Sequence, residues 1–158
     1  MIKQYFAQKL LFSLFFLICM LPSYLNGGPT HTTYFSESDT KLEISKIEFG
    51  KDHYFYALLK NRTDNQIGFC LFRFNKKMQN SCFVIELETY PAYRRQGHAT
   101  RMLEYLFKLM RSFDVKKISL LVDHANTQAR ALYTKLGFEY HADFNDLLIM
   151  LEKDLTSV

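Results

Sequence analysis

The hydrophobic pattern of the chain changes its period once, near Ala99, and this change constrains the fold more than any other feature. Before it, four runs of residues are typical of strands: 42–49, 53–60, 66–74 and 82–89. After it, apolar residues recur at three- and four-residue steps over residues 102–113, as on one face of a helix. A continuous apolar run, residues 118–122, then predicts a strand that is covered on both faces.

A second helix is predicted over residues 127–136, because Asn126 can cap its N-terminus and Gly137 can end it. Two short strands are predicted after that helix, at 138–140 and 147–152. The elements therefore follow the order of four strands, then helix, strand, helix and two strands. This order predicts an α/β fold, a mixed sheet with a right-handed strand–helix–strand crossover at its centre.

The first 28 residues differ from the remainder, and we expect them to be a segment separate from a domain at residues 32–158. Two lysines precede the apolar run at residues 10–21, and a turn-forming stretch with proline and glycine follows it. This arrangement is typical of a secretory signal peptide, and the run lacks the polar stripe of a helix on a domain surface. Residues 1–25 therefore predict export or membrane association. The alternative is a helix buried in the domain.

The charge balance and the cysteines argue against several classes of protein. The 20 basic and 16 acidic residues give a net charge of +4, an excess too small to predict a nucleic-acid partner. No spacing of His and Cys resembles a metal site, so no metal is expected. A hairpin that pairs Asn75 with Ser81 places Cys82 about 13 Å along the strand from Cys70, which is too far for a disulfide.

The segment YPAYRRQGHATRML, residues 90–103, links the predicted fourth strand to the first predicted helix. Ligands bind at the carboxyl ends of such strands, and a helix N-terminus favours anions through its unpaired N–H groups and its dipole. Gly97 lets the backbone approach a ligand closely, while Arg94 and Arg95 can engage phosphate oxygens. The alternative is an exposed turn with solvated arginines. The Walker lysine–serine pair and the three-glycine dinucleotide fingerprint are both absent from the segment.

A second segment, NTQARALYTKLGF at residues 126–138, follows one helix and one strand downstream. Together the two segments resemble the cofactor motifs of the GNAT acetyltransferase superfamily. Arg94, Gly97 and Ala99 match its R/Q-x-x-G-x-G/A loop, and the second segment matches its N-x-x-A-x-x-L-Y-x-x-x-G-F helix. The resemblance extends over about residues 42–155.

The resemblance implies a binding mode and a reaction. It implies that the pyrophosphate of acetyl-CoA lies on the backbone amides of residues 95–100 and that the pantetheine lies alongside residues 87–89, almost as an added strand. The thioester then meets a primary amine directly, of a small molecule or a protein, with no acyl-enzyme. The residues that it implies in acetyl-CoA binding are Leu87, Thr89, Arg94, Arg95, Gln96, Gly97, His98, Ala99, Thr100 and Asn126.

The implied reaction makes two demands on side chains. The attacking amine must be neutral, although a lysine-type amine has a pKa of about 10.4, so a base is useful. Glu86 and Glu88 lie on one face of a predicted strand, and we expect one of them to be the base, with Asp123 as the fallback. Tyr133 matches the family tyrosine that protonates the departing thiolate; its alternative is core packing. For Asn126, the alternative to a cofactor contact is a helix N-cap.

The sequence departs from the family pattern near its beginning. The family fold normally inserts two helices after the first strand, whereas residues 42–49 are followed almost at once by residues 53–60. The acceptor-side helical region is therefore expected to be unusually short, or to be supplied by residues 4–25. An enzyme that uses acetyl-CoA is expected to work in a cytosol, whereas the N-terminal segment indicates export or a membrane. The alternative function is a non-catalytic acyl-CoA-binding or membrane-tethered sensor.

Overall fold

The computed structural model describes residues 32–37, 39–49, 52–75 and 80–156, which form eight strands and two α-helices. In chain order these elements are β1 (Thr32–Glu37), β2 (Thr40–Phe49), β3 (Asp52–Asn61), β4 (Gln66–Asn75), β5 (Ser81–Thr89), α1 (His98–Ser112), β6 (Lys117–Asp123), α2 (Thr127–Lys135), β7 (Glu139–Asp143) and β8 (Leu148–Asp154). Neither described helix has both the length and the apolar character needed to cross a membrane. The predicted N-terminal segment, residues 1–28, lies outside the described residues.

The eight strands form one mixed sheet in the order β1-β2-β3-β4-β5-β6-β8-β7. Neighbours from β1 to β5 are antiparallel, as are β6 with β8 and β8 with β7. β5 and β6 are parallel neighbours, and α1 joins them. The predicted mixed α/β sheet with a strand–helix–strand crossover is therefore confirmed.

The helix α1 covers one face of the sheet. Its buried side chains are Met102, Leu103, Tyr105, Leu106, Phe107, Leu109 and Met110. They belong to the same hydrophobic core as Cys70 and Phe72 of β4 and Val84 of β5. Burying a large apolar side chain stabilises a fold by about 1.5–3 kcal/mol. This packing fixes the start of α1 next to the end of β5, where the candidate site lies.

The first strand, β1, was missed by the sequence analysis. It pairs with β2 through a tight connection in which Glu37 lies opposite Thr40. Its two large apolar residues, Tyr34 and Phe35, are adjacent, so no alternation marks a half-buried strand. Pairing with β2 rather than local pattern creates the strand. Within the described residues no α-helix precedes α1; residues 4–25, the alternative source of a helix on the acceptor side, lie outside them.

The hairpin of β4 and β5 has the predicted register. Asn75 pairs with Ser81, and Phe74 pairs with Cys82. Cys70 and Cys82 are buried and free, as predicted. Burial raises the pKa of the Cys70 thiol to about 12, so the thiol is neutral and a poor nucleophile at pH 7.

The two ends of α2 are as predicted. Asn126 is the N-cap, and its side-chain Oδ1 accepts a hydrogen bond of 3.1 Å from the backbone N–H of Ala129. Gly137 follows the helix with a φ of +79°, a left-handed conformation that glycine adopts without strain. These contacts fix the position of α2 and of Tyr133, which lies in its last turn.

We expect Asn126→Ala to lower the free energy of unfolding by about 1 kcal/mol, because the N–H of Ala129 loses its acceptor. Chemical denaturation of the purified protein measures this change. Asn126→Asp is the matched control, since its carboxylate accepts the same hydrogen bond and should preserve most of the stability. Equal losses in the two variants would contradict the cap.

Candidate active site

β5 and β6 pair with each other only over their first halves. The parallel ladder joins residues 81–84 to residues 117–120 and stops there. In the described structure, residues 85–89 of β5 have no ladder partner on the β6 side, although residues 86–89 still pair with β4 on the other side. The carboxyl-terminal half of β5 therefore has one open backbone edge, at which an extended ligand can hydrogen-bond.

A β-bulge lies where the parallel ladder stops. Leu71 of β4 pairs with Glu86, whereas the next residue, Phe72, pairs with Val84, so that Ile85 is an extra residue in β5. A bulge bends a strand and increases its twist, and bulges are common next to active sites. The bulge therefore accounts for the separation of β5 from β6 at this point.

The bulge also sets the faces of the residues that follow it. Leu87 pairs with the core residue Cys70 and packs against the hydrophobic core on the α1 side. Glu86 and Glu88 flank Leu87 in the chain, so their side chains lie on the other face of the sheet. The expectation that the two glutamates share a face agrees with this register.

The loop between β5 and α1 exposes backbone donors to open space. Gly97 is the N-cap of α1 and has a φ of +81°, and Arg95 also has a positive φ, of +63°. The first hydrogen bond of the helix runs from the N–H of Arg101 to the carbonyl of Gly97 at 3.0 Å, so the N–H groups of residues 98–100 have no acceptor within the helix. A Cβ atom at Gly97 would contact nothing within 4 Å. The loop can therefore hold an anion such as a phosphate.

The two arginines of the loop have different surroundings. The Nε atom of Arg94 donates a hydrogen bond of 2.9 Å to the backbone carbonyl of Thr89, and its Nη2 atom lies 3.8 Å from Oε1 of Glu88. Arg94 thus folds back onto the end of β5 and braces the loop against the strand. Arg95 is exposed beside the start of α1, and Gln96 donates from Nε2 to the carbonyl of Ala92 at 3.3 Å.

Two buried polar atoms border the same loop. Among the described residues, neither Oγ1 of Thr89 nor Nδ1 of His98 has a hydrogen-bond partner. Burial and the nearby Arg101 lower the pKa of His98, so its ring is neutral at pH 7. A buried polar atom without a partner costs about 1–3 kcal/mol. A ligand with polar groups that reached these atoms would recover part of this free energy.

Gly68 of β4 is a residue that the sequence analysis missed. A Cβ atom there would overlap the carbonyl oxygen of Glu88 and lie 3.0 Å from the Cα atom of Thr89. The N–H of Tyr90 donates to the carbonyl of Ile67 at 2.9 Å, which holds the end of β5 against β4. A glycine inside an otherwise apolar strand indicates a close approach of backbone, and this signal was present in the sequence. Gly68 therefore positions the end of β5.

We expect Gly68→Ala to weaken binding at the loop, because the end of β5 must move away from the new methyl group. Overpacking of this kind typically also lowers the free energy of unfolding by about 1–3 kcal/mol. Thermal melting and a calorimetric titration with coenzyme A measure the two effects. Gly137→Ala is the control for lost stability: its φ of +79° strains any side chain, and its Cβ would meet only the flexible end of Lys153, so it should melt at a lower temperature but keep the affinity. Unchanged affinity in folded Gly68→Ala would contradict the positioning role.

Tyr133 belongs to the hydrophobic core on the α1 side of the sheet, against which Leu87 also packs. Its side chain is buried, with 8% exposed, and burial followed by the nearby Cys70 raises its pKa to about 12. Cys70 is the residue that pairs with Leu87. Tyr133 therefore lies on the same face of the sheet as Leu87, and Glu86 and Glu88 lie on the opposite face.

An aromatic cluster lies beside the two glutamates. The ring centroids of Tyr56 and Phe69 are 5.3 Å apart, and those of Phe69 and Tyr90 are 6.4 Å apart. Phe69 pairs with Glu88 across the β4–β5 ladder, which places the cluster on the face of the two glutamates; burial raises the pKa of Tyr56, and Tyr90, Glu86 and Glu88 raise it further. This face of the sheet thus combines negative charge with aromatic surface next to the open edge of β5.

The fallback base, Asp123, is part of a turn at the end of β6. Its Oδ1 atom accepts a hydrogen bond of 2.7 Å from the N–H of Ala125. His124 follows it, with Nε2 at 3.5 Å from a carboxylate oxygen of Asp143. In the described part of the chain, no group of three or more His, Cys, Asp or Glu side chains could hold a metal ion.

Comparison with known proteins identifies the family to which this chain belongs. The family described as the Acetyltransferase (GNAT) family matches residues 24–138, well over half of the chain. The chain therefore belongs to the Acetyltransferase (GNAT) family, which is a family of acyltransferases. It is 30% identical over 87 residues to the uncharacterized N-acetyltransferase YycN of Bacillus subtilis (strain 168). That match covers 55% of this chain and 56% of the relative, so the chain spans about half the length of this curated relative.

Solved structures share the fold. The PaiA N-acetyltransferase of Thermoplasma acidophilum, in complex with coenzyme A, has a TM-score of 0.58 at 20% identity, over 64% of this chain and 60% of that one. The ribosomal-protein-S18-alanine N-acetyltransferase of Escherichia coli has a TM-score of 0.56 at 20% identity, over 68% of this chain and 72% of that one. At these identities the likeness concerns the fold alone, and it confirms the predicted architecture.

Proposed function

We propose that the protein is an N-acetyltransferase that moves the acetyl group of acetyl-CoA to a primary amine by direct attack. One observation carries this proposal: the open edge of β5 runs directly into a loop whose helix N–H groups have no acceptor in the helix, with Tyr133 in the core on one face of the sheet and two glutamates on the other. Membership of the family and the coenzyme A complex of a structural relative support the choice of donor.

The residues of the loop and of β5 fit the donor. The backbone N–H groups of residues 95–100 would bind its pyrophosphate, and Arg95 would add positive charge. The open edge at residues 87–89 would hydrogen-bond to the amide groups of the pantetheine arm. Thr89 and His98 supply buried polar atoms along this path. The Oδ1 atom of Asn126 already accepts a hydrogen bond from the N–H of Ala129, so its side-chain NH₂ group is the part that would contact acetyl-CoA.

The side chains on the two faces of β5 would serve the two halves of the reaction. Acetyl-CoA supplies an activated acyl carbon; the amine nitrogen bonds to it while the C–S bond breaks. Glu86 or Glu88, directly or through water, takes the proton that the amine loses. Tyr133 is protonated at neutral pH because its pKa is about 12. Since a thiol has a pKa of about 8.5, Tyr133 stabilises the departing thiolate chiefly by donating a hydrogen bond to it.

A catalytic domain of this kind needs acetyl-CoA, so we propose that it works in a cytosol. Residues 1–25, which we predict to direct export or membrane association, then hold the domain at a membrane with its site on the cytosolic side, or deliver it into another cell. Fractionation of cells that express the full chain, followed by N-terminal sequencing, tests this part of the proposal.

Two measurements on the same protein test the function. Calorimetric titration with acetyl-CoA should show one site per chain, and release of free thiol should then depend on the primary amine that is added. Binding without thiol release across a broad panel of amines would instead support a non-catalytic acyl-CoA-binding protein. Absence of binding would contradict the proposal altogether.

A further inference from the structure

The proposed reaction requires one base, yet β5 presents two carboxylates on the face of the sheet opposite α1. Glu86 and Glu88 are two residues apart on one face, so their Cα atoms are about 6.6 Å apart along the strand. Two negative charges at this distance repel each other beside the aromatic rings, and the guanidinium of Arg94, 3.8 Å from Glu88, offsets only part of this repulsion. The second carboxylate therefore needs a role of its own.

Glu88 has the surroundings of a cation-binding residue. Its side chain is 41% exposed, so a molecule from solvent can reach it. The guanidinium of Arg94 is 3.8 Å from Oε1, which is an ion pair but too long for a hydrogen bond. Arg94 donates its short hydrogen bond to the carbonyl of Thr89 instead. Glu88 thus lies near the positive charge of Arg94, and its carboxylate oxygens can still accept hydrogen bonds from an ammonium group.

The rings next to Glu88 suit the rest of such a molecule. Tyr90 and Phe69 contact each other, with ring centroids 6.4 Å apart, and Tyr90 is only partly buried. Phe69 pairs with Glu88 across the β4–β5 ladder, and Glu88 raises the pKa of Tyr90 after the larger effect of burial. Aromatic faces attract cations and cover methylene groups. A short aliphatic chain can therefore lie on Tyr90 between the two carboxylates.

We propose that the acceptor is an aliphatic diamine or a similar amine with a second positive charge, of which one nitrogen reacts beside Glu86 and the other binds Glu88. This inference rests on the proposed function. The distance between the two glutamates along the strand matches the separation of two amines joined by about four methylene groups. Glu86 is the base in this arrangement because it directly follows the bulge, where the open edge of β5 begins.

A charge series of equal length tests the acceptor. The full chain, saturated with coenzyme A so that no acetyl group can be transferred, is titrated with 1,4-diaminobutane, 4-aminobutan-1-ol and 4-aminobutanoate. Each step in this order lowers the net charge of the ligand by one, and we expect it to raise the Kd by about fivefold. This factor is the upper end of the range for the contribution of a partly exposed ion pair. In Glu88→Gln, which keeps the size and removes the charge, the ratio between the diamine and the alcohol should fall towards one.

Glu104→Gln is the matched control, because Glu104 is exposed on α1 and its loss changes the net charge equally. The ratio should persist in this variant. The inference would be overturned if the three amines bound equally, if their order were reversed or if none of them bound. It would also be overturned if the ratio between the diamine and the alcohol survived in Glu88→Gln. If the order holds but acetyl-CoA gives no transfer to the diamine, the recognition stands and the proposed function is wrong.

Discussion

Replacing Gly97 with glutamate should abolish measurable binding of acetyl-CoA while the fold persists. A side chain at this position enters open space, because a Cβ atom there meets nothing within 4 Å, and this is the space in front of the N-terminus of α1. A carboxylate placed there would repel the pyrophosphate and bind the N–H groups that the pyrophosphate needs. Like charges brought together cost several kcal/mol, so the Kd should rise by about 100-fold or more. Calorimetric titration measures the Kd.

Two further measurements separate charge from strain in this experiment. The φ of +81° at Gly97 disfavours any side chain by about 1–2 kcal/mol, so both Gly97→Glu and Gly97→Gln should lose this much stability in thermal melting. Gly97→Gln has nearly the same volume and no charge, and it should bind more tightly than Gly97→Glu. A folded Gly97→Glu variant with the affinity of the wild type would show that the loop is not the pyrophosphate site.

Tyr133→Phe should lower kcat by about 100-fold and leave the Kd for acetyl-CoA unchanged. The phenol is protonated at any pH well below 12, so it can donate a hydrogen bond to the thiolate as the C–S bond breaks. Removing a single donor to a developing anion typically lowers the rate by about 100-fold to 1000-fold. The ring itself remains, so its edge contact with Phe138, at 5.6 Å between centroids, should persist. Thiol release at saturating amine gives kcat.

Tyr140→Phe is the matched control for this experiment. Tyr140 is a tyrosine on β7 with 61% of its surface exposed, and its variant should keep the kcat of the wild type. The pH profile adds a second check: no loss of rate attributable to Tyr133 should occur as the pH rises from neutral, because its pKa is about 12. If Tyr133→Phe retains the full kcat of an active wild type, Tyr133 only packs in the core.

The fold could be predicted largely because its elements carry local signals. The period change near Ala99 marked α1, and the cap at Asn126 with the stop at Gly137 marked α2. The register of the β4–β5 hairpin followed from its short connection, which pairs Asn75 with Ser81. β1 has no such signal, since it is a strand only by virtue of its pairing with β2.

The site could be predicted only in part, because some of its features arise between strands. The motif at residues 90–103 predicted the loop and its glycine. The alternation of side chains along a strand predicted that Glu86 and Glu88 share a face. The bulge at Ile85, by contrast, becomes visible only in the pairing of β5 with β4. The hydrogen bond from Arg94 to a strand carbonyl is likewise a contact that depends on the folded loop. Arg94 was predicted to engage phosphate, and that role stays a prediction.

The central proposal is that this protein transfers the acetyl group directly from acetyl-CoA to the amine of an acceptor. Acetyl-CoA labelled in its acetyl group, incubated with the protein and a primary amine, tests it most directly. We predict that the label appears on the amine in proportion to the thiol released, that the protein carries none, and that Tyr133→Phe slows both products together. Direct transfer would be contradicted if the label stayed in unreacted acetyl-CoA with every amine of the panel. It would also be contradicted if the label became covalently attached to the protein.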